Sequence, residues 1–268
     1  MFTKIKSKLI LSYIFDNLRK RVKLKIVKHN KLLTEKLNIK VKDYLQYYNL
    51  KEFNKIYKLN IEDIDVDELE LNNKKIGNEG INYLFKINFT SLKILDLYDN
   101  LLSNVSVLEK INLKYLKKLS LRCNYIDNIE VLTKIDFRDL KELDLSFNKI
   151  EGIALLEYIK ADNLEKLNLS HNDISFIDVF EDVNFDNLRI LNLSNNYIFN
   201  IEVLEYVSFD NLEKLDLGNN RITNIEVLYK VLFIENLHYL NLSFNKISDK
   251  TVLAHIANDK LKINAFDE

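Results

Sequence analysis

The residues of this sequence that could carry catalysis or hold a metal ion are its histidines, its cysteine and its closely spaced carboxylates. The histidines are His29, His171, His238 and His255, and the single cysteine is Cys123. They lie far apart in the sequence, and no acidic pair stands beside them at the spacing of metal ligands. The sequence therefore predicts neither a metal site nor a catalytic group built on these residues.

The nearest approach to a metal motif is the triplet Asp63, Asp65 and Asp67, which has the spacing of the opening of a calcium-binding loop. Such a loop needs glycine at its sixth position and glutamate at its twelfth, where this chain has Glu68 and Lys74. Alternation along one face of a β-strand explains the aspartates without calcium. The four glycines are too dispersed for a phosphate-binding loop. We therefore expect no metal, no cofactor and no enzymatic activity.

A nine-residue pattern, L-x-x-L-x-L-x-x-N, recurs through most of the chain. Its copies begin at Leu92, Leu116, Leu140, Leu164, Leu188, Leu212 and Leu237. The starts advance by 24 residues five times and by 25 once. Because a leucine pattern with a period of about 20–29 residues is typical of leucine-rich repeats, the sequence resembles that family. The likeness is greatest to the short class found in internalins and in the regulatory subunit of protein phosphatase 1.

This resemblance implies the α/β fold class, in the form of a leucine-rich repeat solenoid. Each L-x-L segment is expected to be a short strand, and neighbouring copies are expected to form a curved parallel sheet on the concave side, about 4.8 Å apart. After each strand, apolar residues such as Ile150, Ile153 and Leu156 recur every third position. This spacing favours short helices or 3₁₀ turns on the convex side. One row of the core is predicted to be an aromatic stack of Phe89, Phe137, Phe185 and Phe209.

The chain is predicted to have two parts. Residues 61–268 form the solenoid of about eight repeats, with an irregular first repeat and a short C-terminal cap in which Leu261 and Ile263 belong to a last strand. Residues 1–60 carry no repeat and are predicted to be helical. Their apolar faces, and the open end of the first repeat, both need a partner, so we predict an N-terminal helical cap. Two of these faces consist of Val41, Tyr44, Leu45 and Tyr48, and of Phe53, Ile56 and Tyr57.

Two alternative functions rest on the first 60 residues. A segment of the chain resembles the F-box, which docks onto the adaptor of a ubiquitin ligase, and the resemblance is carried by Ile10, Leu11, Ile14, Phe15 and Leu18. It implies a substrate receptor in which residues 1–40 bind the adaptor, although the leading Leu-Pro of the F-box is missing. The same 60 residues hold 16 Lys or Arg against 4 Asp or Glu. This charge suits binding to nucleic acid or an anionic membrane, but the lysine-rich composition of the whole chain argues against such partners.

Composition and cysteine usage favour a reducing compartment. With one cysteine, no intramolecular disulfide can form, and the paired cysteines that cap many secreted proteins of this kind are absent. The apolar run from Leu9 to Phe15 is interrupted by Ser12 and Tyr13 and ends at Asp16 without a small-residue cleavage site, so we expect no signal peptide. We expect a cytoplasmic protein, compatible also with the nucleus, that is monomeric by itself.

The asparagine that ends each copy is predicted to be structural. It stands between buried leucine and isoleucine, where a polar group must be hydrogen-bonded. Asparagine both donates and accepts, so it can satisfy backbone groups of its own and an adjacent repeat. The seven residues are Asn100, Asn124, Asn148, Asn172, Asn196, Asn220 and Asn245.

Function is expected on the outward positions of the strands, which line the concave face. Counting from the first leucine, most copies have Asp or Asn at position 5 and Ser at position 7, which we interpret as repeated filler. Aromatic and arginine side chains on neighbouring strands are typical of protein-binding surfaces. We therefore predict a non-enzymatic protein–protein interaction module that binds an unidentified partner on this face. The candidate contact residues are Tyr98, Asp99, Arg122, Cys123, Phe147 and His171.

Overall fold

The structure is a computed structural model that describes residues 41–87, 89 and 91–265. Seven single positions nearer the amino terminus are also described: 13, 18, 22, 24, 25, 33 and 35. The F-box-like pattern and the basic head therefore lie almost wholly outside the described residues, and both stay predictions. The division of the chain at residue 60 is likewise a prediction.

The described chain forms one parallel sheet of nine strands whose spatial order is their order in the sequence. Equivalent positions pair throughout, as Leu143 does with Leu167, because a constant period keeps every copy in the same register. The predicted solenoid, including the predicted last strand, is confirmed. The strands are β1 Glu68–Glu70, β2 Ile94–Asp96, β3 Lys118–Ser120, β4 Glu142–Asp144, β5 Lys166–Asn168, β6 Ile190–Asn192, β7 Lys214–Asp216, β8 Tyr239–Asn241 and β9 Lys262–Asn264.

The other side of the solenoid consists mainly of single 3₁₀ turns, as the spacing of apolar residues predicts. The 3₁₀ turns are Ser106–Lys110, Glu130–Lys134, Ala154–Tyr158, Asp178–Glu181, Glu202–Glu205, Glu226–Tyr229 and Leu232–Asn236. Among the elements whose bounds the structure describes, three α-helices lie at the two ends of the array: α1 Val41–Tyr57, α2 Gly77–Lys86 and α3 Thr251–Ile256. Irregular first and last units are expected because each faces a different neighbour on its outer side.

The core contains aromatic contacts, but the predicted stack is wrong in its membership. Its four members are buried: Phe89, Phe137, Phe185 and Phe209. However, the rings in contact are Phe180 with Phe209, at 5.7 Å between centroids, and Phe209 with Phe233, at 6.0 Å. Leu113 and Ala161 occupy the equivalent position in two intervening repeats, so the row is interrupted. The ring contacts that involve this row lie in the C-terminal half, where Phe180 and Phe233 come from other positions of the repeat.

The asparagine ladder is confirmed, and Asn148 shows its geometry. Its amide nitrogen donates to the carbonyl oxygens of Leu121, Leu145 and Ser146 at 3.0, 3.0 and 3.1 Å. Its Oδ1 accepts a hydrogen bond from the backbone N–H of Ile126 at 3.0 Å. One side chain thus joins two consecutive repeats and leaves no buried polar atom of its own unsatisfied.

A second asparagine ladder, which the sequence analysis missed, runs along an exposed edge of the solenoid. Each of these side chains donates from Nδ2 to a backbone carbonyl of the preceding repeat at 2.7–2.8 Å. The sequence signal is an Asn directly before the first leucine of a repeat, usually after an Asp. Its members are Asn163, Asn187, Asn211 and Asn236.

Helix α1 packs on α2 and extends the core beyond the first strand. Phe53 is fully buried and Leu50 is 2% exposed, and the Phe53 ring lies 6.4 Å from that of Tyr83 on α2. By contrast, the apolar face predicted around Val41, Leu45 and Tyr48 is wrong as a packing face. These three side chains are exposed because the helix turns its carboxyl-terminal half, with Leu50 and Phe53, towards the repeats.

A close approach between α1 and α2 depends on Gly80. A Cβ at this position would stand 2.2 Å from the Tyr57 hydroxyl oxygen, so a larger residue would push the two helices apart. Tyr57 donates from this hydroxyl to the carbonyl of Ile76 at 3.4 Å. Burial raises the pKa of Tyr57 above its usual value of 10.0, with Tyr83 and Glu79 adding to the effect. The phenol therefore stays protonated and available as a donor.

Candidate interaction surface

The face of the sheet that points away from the 3₁₀ turns is formed by alternate strand residues. In β4, Glu142 and Asp144 are partly exposed on this face and Leu143 is buried behind it. The backbone ladder continues past the strand. The N–H of Leu145 donates to the Asn168 carbonyl at 2.9 Å, and the N–H of Phe147 donates to the Ser170 carbonyl at 2.9 Å. Position 7 therefore faces the same side of the sheet as positions 3 and 5.

The serines at position 7 do not form an exposed surface, so the expectation that this repeated filler lines the open face is wrong. Ser146 donates from both its backbone N–H and its Oγ to Oδ1 of Asp144, at 2.9 and 2.6 Å. The same turn recurs where position 5 is asparagine. The serines involved are small enough to be covered and are buried, so they end the strand and are structural. They are Ser146, Ser170, Ser194 and Ser243.

Four of the six candidate residues form one continuous stack across consecutive repeats. The guanidinium carbon of Arg122 lies 5.8 Å from the ring centre of Tyr98 and 4.6 Å from that of Phe147. The Phe147 ring is stacked on the imidazole of His171, with 3.8 Å between centroids and 15° between planes. We call these four residues, Tyr98, Arg122, Phe147 and His171, the Arg122 stack. Tyr98 and Arg122 occupy position 7 beside β2 and β3, where most later repeats have a buried serine, and Phe147 and His171 occupy position 8 of the next two repeats.

The other two candidates, Asp99 and Cys123, lie at position 8, as do Phe147 and His171. All four have a left-handed backbone, with φ between 51° and 55°, because the chain turns here to bring the ladder asparagine inward. Cys123 is a free, partly exposed thiol. Among the described residues, neither Asp99 nor Cys123 forms a side-chain hydrogen bond or ion pair with the Arg122 stack. Asp99 and Cys123 thus occupy the same position of the repeat as Phe147 and His171, but they do not belong to the stack.

Some charged groups on the sheet face are paired across neighbouring strands. Glu142 contacts the ammonium groups of Lys118 and Lys166 on the two neighbouring strands, at 3.4 and 2.5 Å. Arg122 differs, because within the described chain its guanidinium contacts the two rings and no carboxylate lies within ion-pair distance. Partial desolvation against its neighbours, and then the charge of Arg122, hold the pKa of His171 below its usual 6.5. At neutral pH the stack therefore carries one positive charge, on Arg122.

Replacing Arg122 with glutamine should raise the pKa of His171, because it removes a nearby positive charge that opposes protonation. NMR titration of the His171 ring protons measures this directly. The linked stability has a defined sign: the contribution of neutral His171 is present above its unfolded pKa of about 6.5 and is lost as pH falls through the lower folded pKa. Arg221→Gln, which removes an arginine on the Tyr197 ring, is the matched control and should leave the His171 titration unchanged. An unchanged His171 titration in the Arg122 variant would contradict the electrostatic coupling.

Two further cation–aromatic pairs escaped the sequence analysis. The Lys149 ammonium lies 5.1 Å from the ring centre of Tyr125, and the Arg221 guanidinium lies 4.3 Å from that of Tyr197. All four residues directly follow a ladder asparagine, a position at which side chains point outward. Alternation of aromatic and basic residues at this position in neighbouring copies is the signal that could have identified them.

The described residues offer no metal site and no membrane span. No group of three His, Cys, Asp or Glu side chains among them is arranged to hold a metal ion. Asp63, Asp65 and Asp67 precede β1, so their assignment to a strand face is wrong; Asp67 instead pairs with Lys93 at 2.8 Å. In the part of the chain that the structure describes, no helix has the length and apolarity needed to cross a bilayer.

Comparison with known families identifies the repeat. The family model described as leucine rich repeat matches residues 114–174. A second, described as leucine rich repeats in two copies, matches residues 162–206 and 210–255. Together they cover about half of the chain. A comparison with curated proteins finds no match.

Solved structures share the fold at low sequence identity. Internalin C2 from Listeria monocytogenes matches with a TM-score of 0.57 and 23% identity, over 80% of this chain and 91% of that one. The ectodomain of the Arabidopsis thaliana receptor kinase GASSHO1/SCHENGEN3, in complex with Casparian strip integrity factor 2, matches with 0.52 and 21%, over 68% and 22%. The plant peptide hormone receptor RGFR1, in complex with RGF2, matches with 0.52 and 21%, over 67% and 29%.

Proposed function

Because the chain belongs to the leucine-rich repeat family, we propose that it binds another protein on the concave face of its sheet and has no catalytic activity. The observation that carries this proposal is the Arg122 stack, which joins four repeats in one arrangement of rings and guanidinium. The proposed contact residues are Tyr98, Asp99, Arg122, Cys123, Phe147 and His171.

The stack has the physical properties of a binding hot spot. Tyrosine and arginine are enriched among residues that dominate binding energy. Each member is already restrained by a neighbour, so less side-chain entropy is lost when a partner docks. Four adjacent strands at about 4.8 Å spacing span roughly 15 Å, which is wide enough for a helix or an extended segment. Elsewhere on the same face, Lys118 and Lys166 are already paired with Glu142 and offer less to a partner.

The similar structures are consistent with a peptide or protein segment as the partner. GASSHO1/SCHENGEN3 was solved in complex with Casparian strip integrity factor 2, and RGFR1 in complex with RGF2. At 21% identity these complexes show a shared fold and do not identify the partner of this chain.

Tyr98→Ala and Arg122→Ala should each weaken binding of the partner by about 1 kcal/mol or more. Affinity purification from native cells with the wild-type chain supplies the partner, and calorimetry with the two purified proteins then measures the affinity of each variant. Both variants should fold normally, because Tyr98 and Arg122 are only partly buried and lie outside the core.

The matched control for this experiment is the double variant Tyr197→Ala/Arg221→Ala, which removes another exposed cation–aromatic pair outside the proposed surface. It should retain full affinity. If the Tyr98→Ala/Arg122→Ala double variant also retains full affinity, while charge reversal at Glu226 on the opposite side abolishes binding, the concave-face proposal is wrong.

A further inference from the structure

The side chain of Arg122 lies between two rings and has no hydrogen-bond acceptor in the part of the chain that the structure describes. A guanidinium group has five N–H donors, and within the described residues none of those of Arg122 forms a hydrogen bond or ion pair. Two other cations on this face behave differently, since Lys118 on β3 and Lys166 on β5 both contact Glu142. Arg122 is partly buried, so its donors are partly desolvated and gain more from a partner than those of a fully exposed arginine.

The position of the two rings determines how a ligand can reach this group. Tyr98 comes from the preceding repeat and Phe147 from the following one, so the rings flank the guanidinium along the sheet. This arrangement leaves the N–H edge for a ligand that approaches from the open face. A planar group with two acceptor oxygens can then accept two parallel hydrogen bonds from one guanidinium.

The surrounding charges favour a monoanion over a dianion. Asp99 and Asp144 belong to the repeats on either side, with their backbone groups hydrogen-bonded to those of Arg122 and Leu121 at 3.0 and 2.8 Å. The negative charge that they add to these repeats disfavours a doubly charged group more than a singly charged one. His171 adds no positive charge at neutral pH, and phosphate recognition ordinarily uses a cluster of arginines.

We propose that Arg122 binds a carboxylate of the partner, so that the segment docked on the Arg122 stack is an acidic peptide. This inference rests on the proposed function, which supplies the partner, and it adds the chemical group that the partner presents. The carboxylate accepts hydrogen bonds from the guanidinium edge, while apolar parts of the same segment lie against Tyr98 and Phe147.

NMR titration of the full chain with short peptides tests this directly. The Nε–H signal of Arg122 is followed while a tripeptide Gly-Glu-Gly, blocked at both ends, is added at constant ionic strength. We expect a saturable shift, with a dissociation constant on the order of tens of millimolar, and a parallel rise in the pKa of His171 as the bound carboxylate offsets the charge of Arg122. The blocked peptide Gly-Gln-Gly, which is neutral and of equal size, should produce neither effect.

Two arginine controls accompany the titration. Arg221 lies on a single ring in the same molecule, and its Nε–H signal should shift little and without saturation. In Arg122→Gln, the response of Tyr98 and His171 signals to Gly-Glu-Gly should weaken at least about tenfold, whereas Arg122→Lys should retain part of it. A tripeptide Gly-Gly-Gly with a free carboxyl end shows whether a chain terminus serves as well as a side chain; saturable binding of either source supports the proposal.

Three outcomes would overturn the inference: equal responses at Arg122 and Arg221, no saturable response to either carboxylate, or preferential binding of inorganic phosphate. These outcomes are separable from a failure of the proposed function. If Tyr98→Ala weakens binding of the partner but no carboxylate binds, the proposed docking surface is supported and the proposed carboxylate site is wrong. If carboxylates bind but the Tyr98→Ala/Arg122→Ala double variant keeps its partner, the site exists and the proposed docking surface is wrong.

Discussion

Replacing Phe53 with alanine should lower the free energy of unfolding by about 3–5 kcal/mol. The ring is fully buried, packs against Tyr57 at 4.9 Å between centroids, and joins α1 to the core of the first repeat. Its removal deletes apolar contacts and leaves a cavity between two helices that Gly80 allows to approach closely. Denaturant unfolding followed by circular dichroism and tyrosine fluorescence measures the change.

The matched control for this change is Tyr48→Ala, on the same helix, because Tyr48 is 59% exposed and its loss should change stability by no more than about 0.5 kcal/mol. We also expect one cooperative transition by both probes, because the cap covers the open end of the repeat array. A separate early transition of α1, or an unchanged midpoint in Phe53→Ala, would show that α1 is not part of the cooperative unit.

Asn148→Ala should destabilise the protein by about 2–3 kcal/mol without altering the concave face. The largest part of this loss is expected at the backbone N–H of Ile126, which donates to Asn148 Oδ1 at 3.0 Å. That N–H is buried with no other acceptor within the described residues. The carbonyls are better protected, since Leu121 also accepts from Asn124, and Leu145 also accepts from Asn172.

The second asparagine ladder provides the matched control. Asn187 also joins two repeats, by donating to the Asp162 carbonyl at 2.8 Å, but it is exposed, so water can replace its amide. Asn187→Ala should therefore cost no more than about 0.5 kcal/mol. Equal denaturation midpoints for Asn148→Ala and Asn187→Ala would mean that water or neighbouring groups can replace the hydrogen bonds of the ladder that contains Asn148.

The repeat pattern was sufficient to predict the strands, the 3₁₀ turns and the role of the ladder asparagines. This follows from the physics of a repeat array, in which each unit packs only on its neighbours. Leu143 pairs with Leu167. Because the period is nearly constant, all remaining copies pair in the same register. A position that is buried in one copy is then buried in the next.

The sequence named the four members of the Arg122 stack but not their arrangement. Departures from the repeated filler pointed to Tyr98, Arg122 and His171, and Phe147 was added because it lies between them. Their contact depends on side-chain directions that no pattern of residue types contains. Position 8 adopts a left-handed backbone, which brings the rings of Phe147 and His171 together; Asn195 at the equivalent position is typical of such a backbone, whereas phenylalanine is not.

The sequence by itself determined the periodic parts of this protein, because their structure follows from local spacing and nearest-neighbour packing. The tertiary structure alone decided three features that the pattern of residue types does not contain: the face of α1 that packs on α2, the burial of serines such as Ser146, and the absence of an ion-pair partner for Arg122 among the described residues. Each depends on which groups meet across elements. Leu50 and Phe53 are buried because α2 lies beside them. Arg122 has no carboxylate within ion-pair distance among the described residues, and Oδ1 of Asp144 on the next strand instead accepts from Ser146.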